Sequence, residues 1–219
     1  MTTTPFIAFD IETKPLPEIA AKLFKPSSRL KDPAKIAEAK ADFISEAALS
    51  PLTGSIIVIG LIDQDAKVEY LEGTESVILT AFWKRFEAHA EAVTKFCCWS
   101  GSGAAGKIFD ADFIVTRSRI LGVRIPPTVR NGRFYGSRIV DLASEFLLYQ
   151  TDAYLSLTKA AMLMGMYDDA SLSLTPKSDT DEVKGENFHR HYAENPAKAL
   201  PYLANDLLHT YHLARRILA

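Results

Sequence analysis

The chain has 219 residues, 47% hydrophobic and 24% charged, which is ample for one packed globular domain and excludes a disordered or fibrous chain. No apolar run reaches the ~20 residues of a membrane helix, and the start, MTTTPFIAFD, lacks the basic stretch and small-residue cleavage site of a signal peptide. The formal net charge of −2 does not by itself mark a nucleic-acid binder, and the only cysteines, the neighbours Cys97 and Cys98, exclude a disulfide framework and point to a reducing cytoplasm.

PFIAFDIE reads as a first strand, short, apolar and aromatic, broken at Lys14-Pro15. Residues 14–53 read as an insertion holding a helix, with Asp32 as its N-cap, Pro33 in its first turn and AKIAEAKADFISEAAL as its body. SIIVIGLID is a second strand and KVEYLEG a third, joined by a tight turn at Gln64-Asp65. SVILTAFWKRFEAHAEA is an amphipathic helix with Ile78, Leu79, Phe82, Trp83 and Phe86 on one face. AVTKFCCW is a fourth strand. A glycine-rich loop leads to a helix at FDADFIVTRSRIL, and SRIVDL is a fifth strand. The rest is helical: SLTKAAMLMG, VKGENFHRHYAEN and a last helix through PYLANDLLHTYHLARRIL, which Pro201 should start or kink because it lacks a donor and clashes inside a helix. This order predicts an α/β fold, a mixed five-stranded sheet flanked by helices, as a single domain over 1–219.

Side chains alternate along a strand, so Asp10 and Glu12 share a face while Ile7, Phe9 and Ile11 point to the other layer. Two carboxylates on one face repel unless a cation or a proton intervenes. Asp110 lies at a predicted helix start, where the helix dipole favours an anion. Tyr202 and Asp206 are four residues apart on the last helix and share a face. Asp10, Glu12, Asp110 and Asp206 together suit two hard divalent cations, Mg²⁺ or Mn²⁺. Such a pair clamps the attacking and leaving oxygens of an in-line phosphoryl displacement and acidifies a water, which the Tyr202 hydroxyl could hold.

FDIET, FDADFIVTRS and YLAND, in that order, resemble the three motifs of the DEDD 3′–5′ exonucleases. The tyrosine four residues before the last aspartate resembles the DEDDy subgroup; where the histidine subgroup would carry its histidine, Pro201 stands. KDPAKIAEAK, AALSPLTGSIIVIG and DFIVTRSRILGV are similar to the exonucleases related to the proofreading domain of family B DNA polymerases, and the likeness covers nearly the whole chain. The resemblance implies a ribonuclease H-like fold, hydrolysis of DNA from its 3′ ends and release of nucleoside 5′-monophosphates. It also implies Asp10, Glu12, Asp110 and Asp206 as metal-binding acids and Tyr202 as the water-orienting tyrosine. A polymerase or repair partner would fit that activity, but no motif indicates one. The family's asparagine before the second motif is absent: the stretch is WSGSGAAGKIFD, with Ser100 or Ser102 in its place.

Lys107, Arg117, Arg119, Arg124, Arg130, Arg133 and Arg138 are opposed only by Asp110 and Asp112 across 107–138; composition alone favours a solvated surface, and a phosphate-contacting flank becomes the reading only beside nucleic-acid chemistry. Thr13, Ser100, Ser102, Lys107, Arg117 and Arg119 are the candidate substrate contacts. Rival readings remain. GSGAAGK fits the G-x-x-x-x-G-K of a nucleotide-binding P-loop between a strand and a helix, although Ile108 replaces the Ser/Thr that would ligate Mg²⁺. A nucleic-acid-binding module with an inactive site is a second rival. A zinc enzyme is a third, but His189 and His191 do not face each other and His209 and His212 have no further ligands.

Overall fold

The computed structural model describes residues 5–89, 94–100, 109–127, 129, 138–147, 155–178 and 180–219. Five strands, β1 (Phe6–Pro15), β2 (Gly54–Ile62), β3 (Val68–Leu71), β4 (Lys95–Cys98) and β5 (Ile139–Asp141), form one sheet in the order β3-β2-β1-β4-β5. β2 runs antiparallel to β1 and to β3, while β4 runs parallel to β1 and to β5. This is the expected mixed five-stranded sheet of an α/β fold, with the first strand at its centre.

The period-two pattern of β1 divides the core into two layers. Ile7, Phe9 and Ile11 face one layer, where α3 (Glu75–Ala88) and α4 (Phe109–Ile120) bury Ile78, Leu79, Phe82, Trp83, Phe86, Phe113 and Ile114. Phe6 and Ala8 face the other, where α8 (Pro196–Ile217) lays down Leu203, Leu207, Tyr211 and Leu213. α5 (Leu142–Phe146), α6 (Leu157–Leu163) and α7 (Phe188–Glu194) complete this second layer. Asp10 and Glu12 lie on the face that meets α8.

Gly60 sets the distance between α8 and the sheet. It pairs with Asp10 across the β1–β2 ladder. A Cβ there would fall 2.5 Å from Leu207 Cδ1 and 3.2 Å from Leu203 Cγ. A side chain at this position would push the helix off the strand, and Asp206 with it.

Between β1 and β2 lie α1 (Pro17–Leu23), α2 (Pro33–Ser45) and a 3₁₀ turn at Ala47–Leu49. The Asp32 carboxylate accepts from Ala34 N–H at 2.9 Å and Pro33 opens α2, as its capping sequence dictates. The strand continues through Pro15 rather than breaking at Lys14, and α1, too short to show a periodicity, was not expected. Of the two outcomes expected at Pro201, a helix start is excluded. The last helix begins at Pro196, with the Asn195 side chain capping Ala197 N–H at 3.1 Å, and Pro201 lies inside it. The Asn-Pro start signal outweighs the single ladder bond that Pro201 removes. No helix among the described residues is long and apolar enough to cross a membrane.

Candidate metal centre and cleft

Ligand atoms of Asp10, Glu12 and Asp206 all lie within 4.8 Å of one another. Strand alternation brings the first two to one face, and the close seat of α8 on Gly60 brings the third. Glu12 and Asp206 are buried and Asp10 is partly so. This acid group sits toward the carboxyl end of β1, beside the carboxyl end of its parallel neighbour β4, the edge where open α/β sheets bind ligands.

Asp110 is not within that radius of all three, yet it belongs to the same field. It is buried at the start of α4, in the opposite layer, and reaches the others around the end of β4. Burial, then the charges of Asp10 and Asp141, pushes its carboxyl well above the usual range, with Cys98 nearby opposing the rise. Burial, with Asp206 next, pushes Asp10 up to about 7. Burial, then Asp10 and Asp206, raises Glu12. Burial also raises Asp206, against the opposing pull of Lys177. Four acids without enough positive charge hold protons that a free carboxylate would release.

Among the described residues the cation in contact with them is Lys177, which the sequence did not single out. Its ammonium donates to Asp206 Oδ2 at 2.6 Å and to the Tyr202 hydroxyl at 2.6 Å. Burial depresses the Lys177 pKa, but Asp206 and Tyr202 outweigh it and the net direction is up, so the group stays charged. The Tyr202 hydroxyl is pushed up to about 12 by burial and then by Asp206, and stays protonated. Because Lys177 donates to its oxygen, the hydroxyl's own proton is free for another partner. A lysine in LTPKSDT has no pattern that ties it to an aspartate 29 residues away; only the path of the chain does.

The other oxygen of Asp206, Oδ1, is buried with no hydrogen-bond partner. An orphaned carboxylate oxygen beside two further acids is the donor set that a hard cation completes. The residues present therefore fit Mg²⁺ or Mn²⁺. Among the described residues no other group of acids, histidines and cysteines could hold a metal. His209 bonds instead to the Asn205 carbonyl at 2.7 Å and to the Tyr167 hydroxyl at 2.9 Å. Cys97 and Cys98 are buried, and burial raises both thiols, Cys97 to about 12, which leaves neither as a nucleophile.

Asp10, Asp206 and Lys177 open into a cleft of about 240 Å³ walled by Trp99, Ser100 and Thr158. The Trp99 indole anchors this wall by donating to the Leu155 carbonyl at 3.0 Å. A larger cleft of about 380 Å³, between Asp65 and the end of α8, contains none of the acids.

A solved structure shares this architecture. It is the family B DNA polymerase from the hyperthermophilic archaeon Pyrobaculum calidifontis, similar to this chain at a TM-score of 0.58 and 17% sequence identity. The likeness covers 99% of this chain but only 25% of the polymerase, and at that identity it speaks for the fold alone. No family model matches the sequence, and no curated protein does either.

The expected substrate contacts divide. Ser100 lines the cleft: its N–H is held by Asp141 Oδ1 at 3.0 Å, and its hydroxyl is buried without a partner. Thr13 lies at a register shift beside Glu12, but its hydroxyl is committed to the Ala48 carbonyl at 2.8 Å. Arg117 must be corrected. It is buried, its Nε and Nη2 donating to the Glu75 carboxylate at 2.8 and 2.6 Å and its Nη1 to the Pro51 carbonyl at 3.3 Å. A guanidinium whose nitrogens are all spent on Glu75 and the Pro51 carbonyl is not free for a phosphate. Arg138 is spent likewise on the Phe86 carbonyl at 3.0 Å and over the Phe86 ring, and Arg124 on Glu87 at 3.2 Å. Arg119 is exposed and makes no ion pair among the described residues. Ser102 and Lys107, with the GSGAAGK stretch, lie outside the described residues.

Proposed function

We propose that the chain is a divalent-metal-dependent 3′–5′ exonuclease that hydrolyses the terminal phosphodiester of DNA and releases nucleoside 5′-monophosphates. One observation carries the proposal: three carboxylates share a 4.8 Å neighbourhood with an orphaned oxygen among them and one lysine to oppose their charge. A buried excess of negative charge is costly unless it serves a cation. The order of the three sequence motifs and the polymerase-like fold support the same reading.

Asp10, Glu12, Asp110 and Asp206 would hold two cations, Mg²⁺ or Mn²⁺. When bound, these would offset the acids' charge, acidify a water and stabilise charge on the phosphoryl oxygens. Tyr202 would orient the attacking water with its free hydroxyl proton. Lys177 would keep that hydroxyl in place and add a fixed positive charge near the scissile phosphate. Water adds to phosphorus, the bond from phosphorus to the 3′ oxygen breaks, and that oxygen leaves as the new 3′ hydroxyl. Ser100 and the cleft wall would seat the last nucleotide.

The test is digestion of a 5′-labelled and a 3′-labelled oligonucleotide, DNA against RNA, in Mn²⁺ and in EDTA. Mononucleotides shed first from the 3′ label, and none in EDTA, support the proposal. Undegraded ends in Mn²⁺, or internal cuts only, overturn it.

A further inference from the structure

The insertion between β1 and β2 holds a charge pattern that the site does not use. Over positions 22–35 it carries Lys22, Lys25, Arg29, Lys31 and Lys35 against a single acid, Asp32, in a chain whose net charge is −2. All five are exposed, and none makes an ion pair among the described residues. Asp32 is occupied in capping α2.

Aromatic surface lies within the same element. Phe24 and Phe43 meet with ring centroids 5.8 Å apart, and Phe43 is 39% exposed. α2 buries none of its thirteen residues. Nearby, Ile19 and Leu23 of α1 are also exposed. An apolar protein partner would not call for this density of unpaired positive charge; a strand of phosphates and bases does.

The insertion is held against the acid-bearing end of the sheet. Thr13, next to Glu12, donates to the Ala48 carbonyl, Thr53 Oγ1 donates to the Ala47 carbonyl at 2.9 Å, and Arg117 clamps Pro51. Gly54 leaves room for this contact: a Cβ there would fall 2.9 Å from the Ala47 carbonyl oxygen. α1 begins five residues beyond Glu12 and is about 10 Å long at 1.5 Å per residue.

We infer that the insertion is a binding track for single-stranded nucleic acid, with Lys22, Lys25, Arg29 and Lys31 on phosphates and the Phe24–Phe43 pair under a base. The track lies upstream of the end seated at the acids, an orientation that rests on the exonuclease reading. Of the described arginines of the 107–138 flank, Arg117 and Arg138 are spent inside the protein.

The test is fluorescence anisotropy with (dT)8 and (dT)2 in EDTA, at several salt concentrations, using wild type and Lys22→Ala/Lys25→Ala/Arg29→Ala/Lys31→Ala. The four sites are exposed, so folding is not at stake. For (dT)8 the variant should bind at least about ten-fold more weakly, and its salt slope should fall by about 3, at ~0.7 per lost phosphate contact. (dT)2 should bind both proteins alike. Phe43→Ala should weaken (dT)8 about five-fold or more without changing the slope. Equal (dT)8 binding by variant and wild type overturns the inference. So does competition by polyglutamate as strong as by (dT)8, which would assign the surface to an acidic protein. Hydrolysis of the p-nitrophenyl ester of thymidine 5′-monophosphate in Mn²⁺ reads the acid centre separately. Ester hydrolysis with unchanged (dT)8 binding sinks the track alone; no hydrolysis with a lost (dT)8 slope sinks the exonuclease reading alone.

Discussion

Each layer of the molecule buries charge, and the two do it differently. On the α3–α4 side, Arg117 and Glu75 face each other with two hydrogen bonds of 2.8 and 2.6 Å, one positive group against one negative. On the α8 side, Asp10, Glu12 and Asp206 crowd together, with Asp110 beyond them and, among the described residues, Lys177 alone in contact. The first arrangement is closed. The second has an excess of negative charge, raised carboxyl pKa values and an oxygen with no partner. A balanced buried pair joins elements together; an unbalanced one awaits something from solution.

Substitutions separate the two. Asp10→Ala or Asp206→Ala should lower nuclease activity by on the order of 10³-fold or more, since a metal ligand is lost, while the metal-free protein melts no lower than wild type. Arg117→Ala should do the reverse. It should destabilise by about 3 kcal/mol in urea unfolding, because the largely shielded Glu75 is left with only the Ile56 N–H to offset its charge, with kcat of the surviving folded fraction unchanged. If Arg117→Ala is fully stable, or if Asp10→Ala collapses the fold, the contrast fails. Tyr202→Phe, which retains the ring and removes the hydroxyl, should cost about 10² in kcat with metal affinity intact.

The proton balance sharpens the comparison. The acids of the α8 layer have folded-state pKa values above those of the unfolded chain, so the native state binds protons that the unfolded chain releases. Their contribution is most favourable below about pH 4 and declines as pH rises toward Asp10's value of about 7. Thermal melts in EDTA should show Tm falling over that window. Mn²⁺ should raise Tm, more at pH 7 than at pH 5, because binding must displace protons. A metal-free Tm that rises steadily from pH 4 to 7 in wild type and in Glu12→Gln alike would contradict the clustered charge. The smallest effect belongs to Gly60→Ala, about 1–3 kcal/mol from overpacking against Leu207, with a loss of activity as α8 shifts.

Much of the fold was legible locally. The alternation of FIAFDIE divides Ile7, Phe9 and Ile11 from the acid face, and the α3 stripe buries the five residues its periodicity named. The acids are legible because strand and helix periods place them without knowledge of the path between. Lys177 and Arg117 were not legible for the opposite reason. Lys177 meets Asp206 across 29 residues and Arg117 meets Glu75 across 42, and no local period links such partners. In sequence Arg117 looks like one more charge in a basic run; burial alone separates it from Arg119. Pro201 misplaced the start of α8 because a proline is a strong local signal and the tertiary seat of α8 is not visible in the residues around it.

The account depends on the α8-side acids being a divalent-cation site. Titration of Mn²⁺ followed by electron paramagnetic resonance at pH 7.5 reads this directly, through loss of the free-ion signal. Wild type should take up Mn²⁺, and Asp10→Asn and Asp206→Asn should lose that uptake while remaining folded. No uptake by wild type into the millimolar range, or equal uptake by both variants, would contradict it.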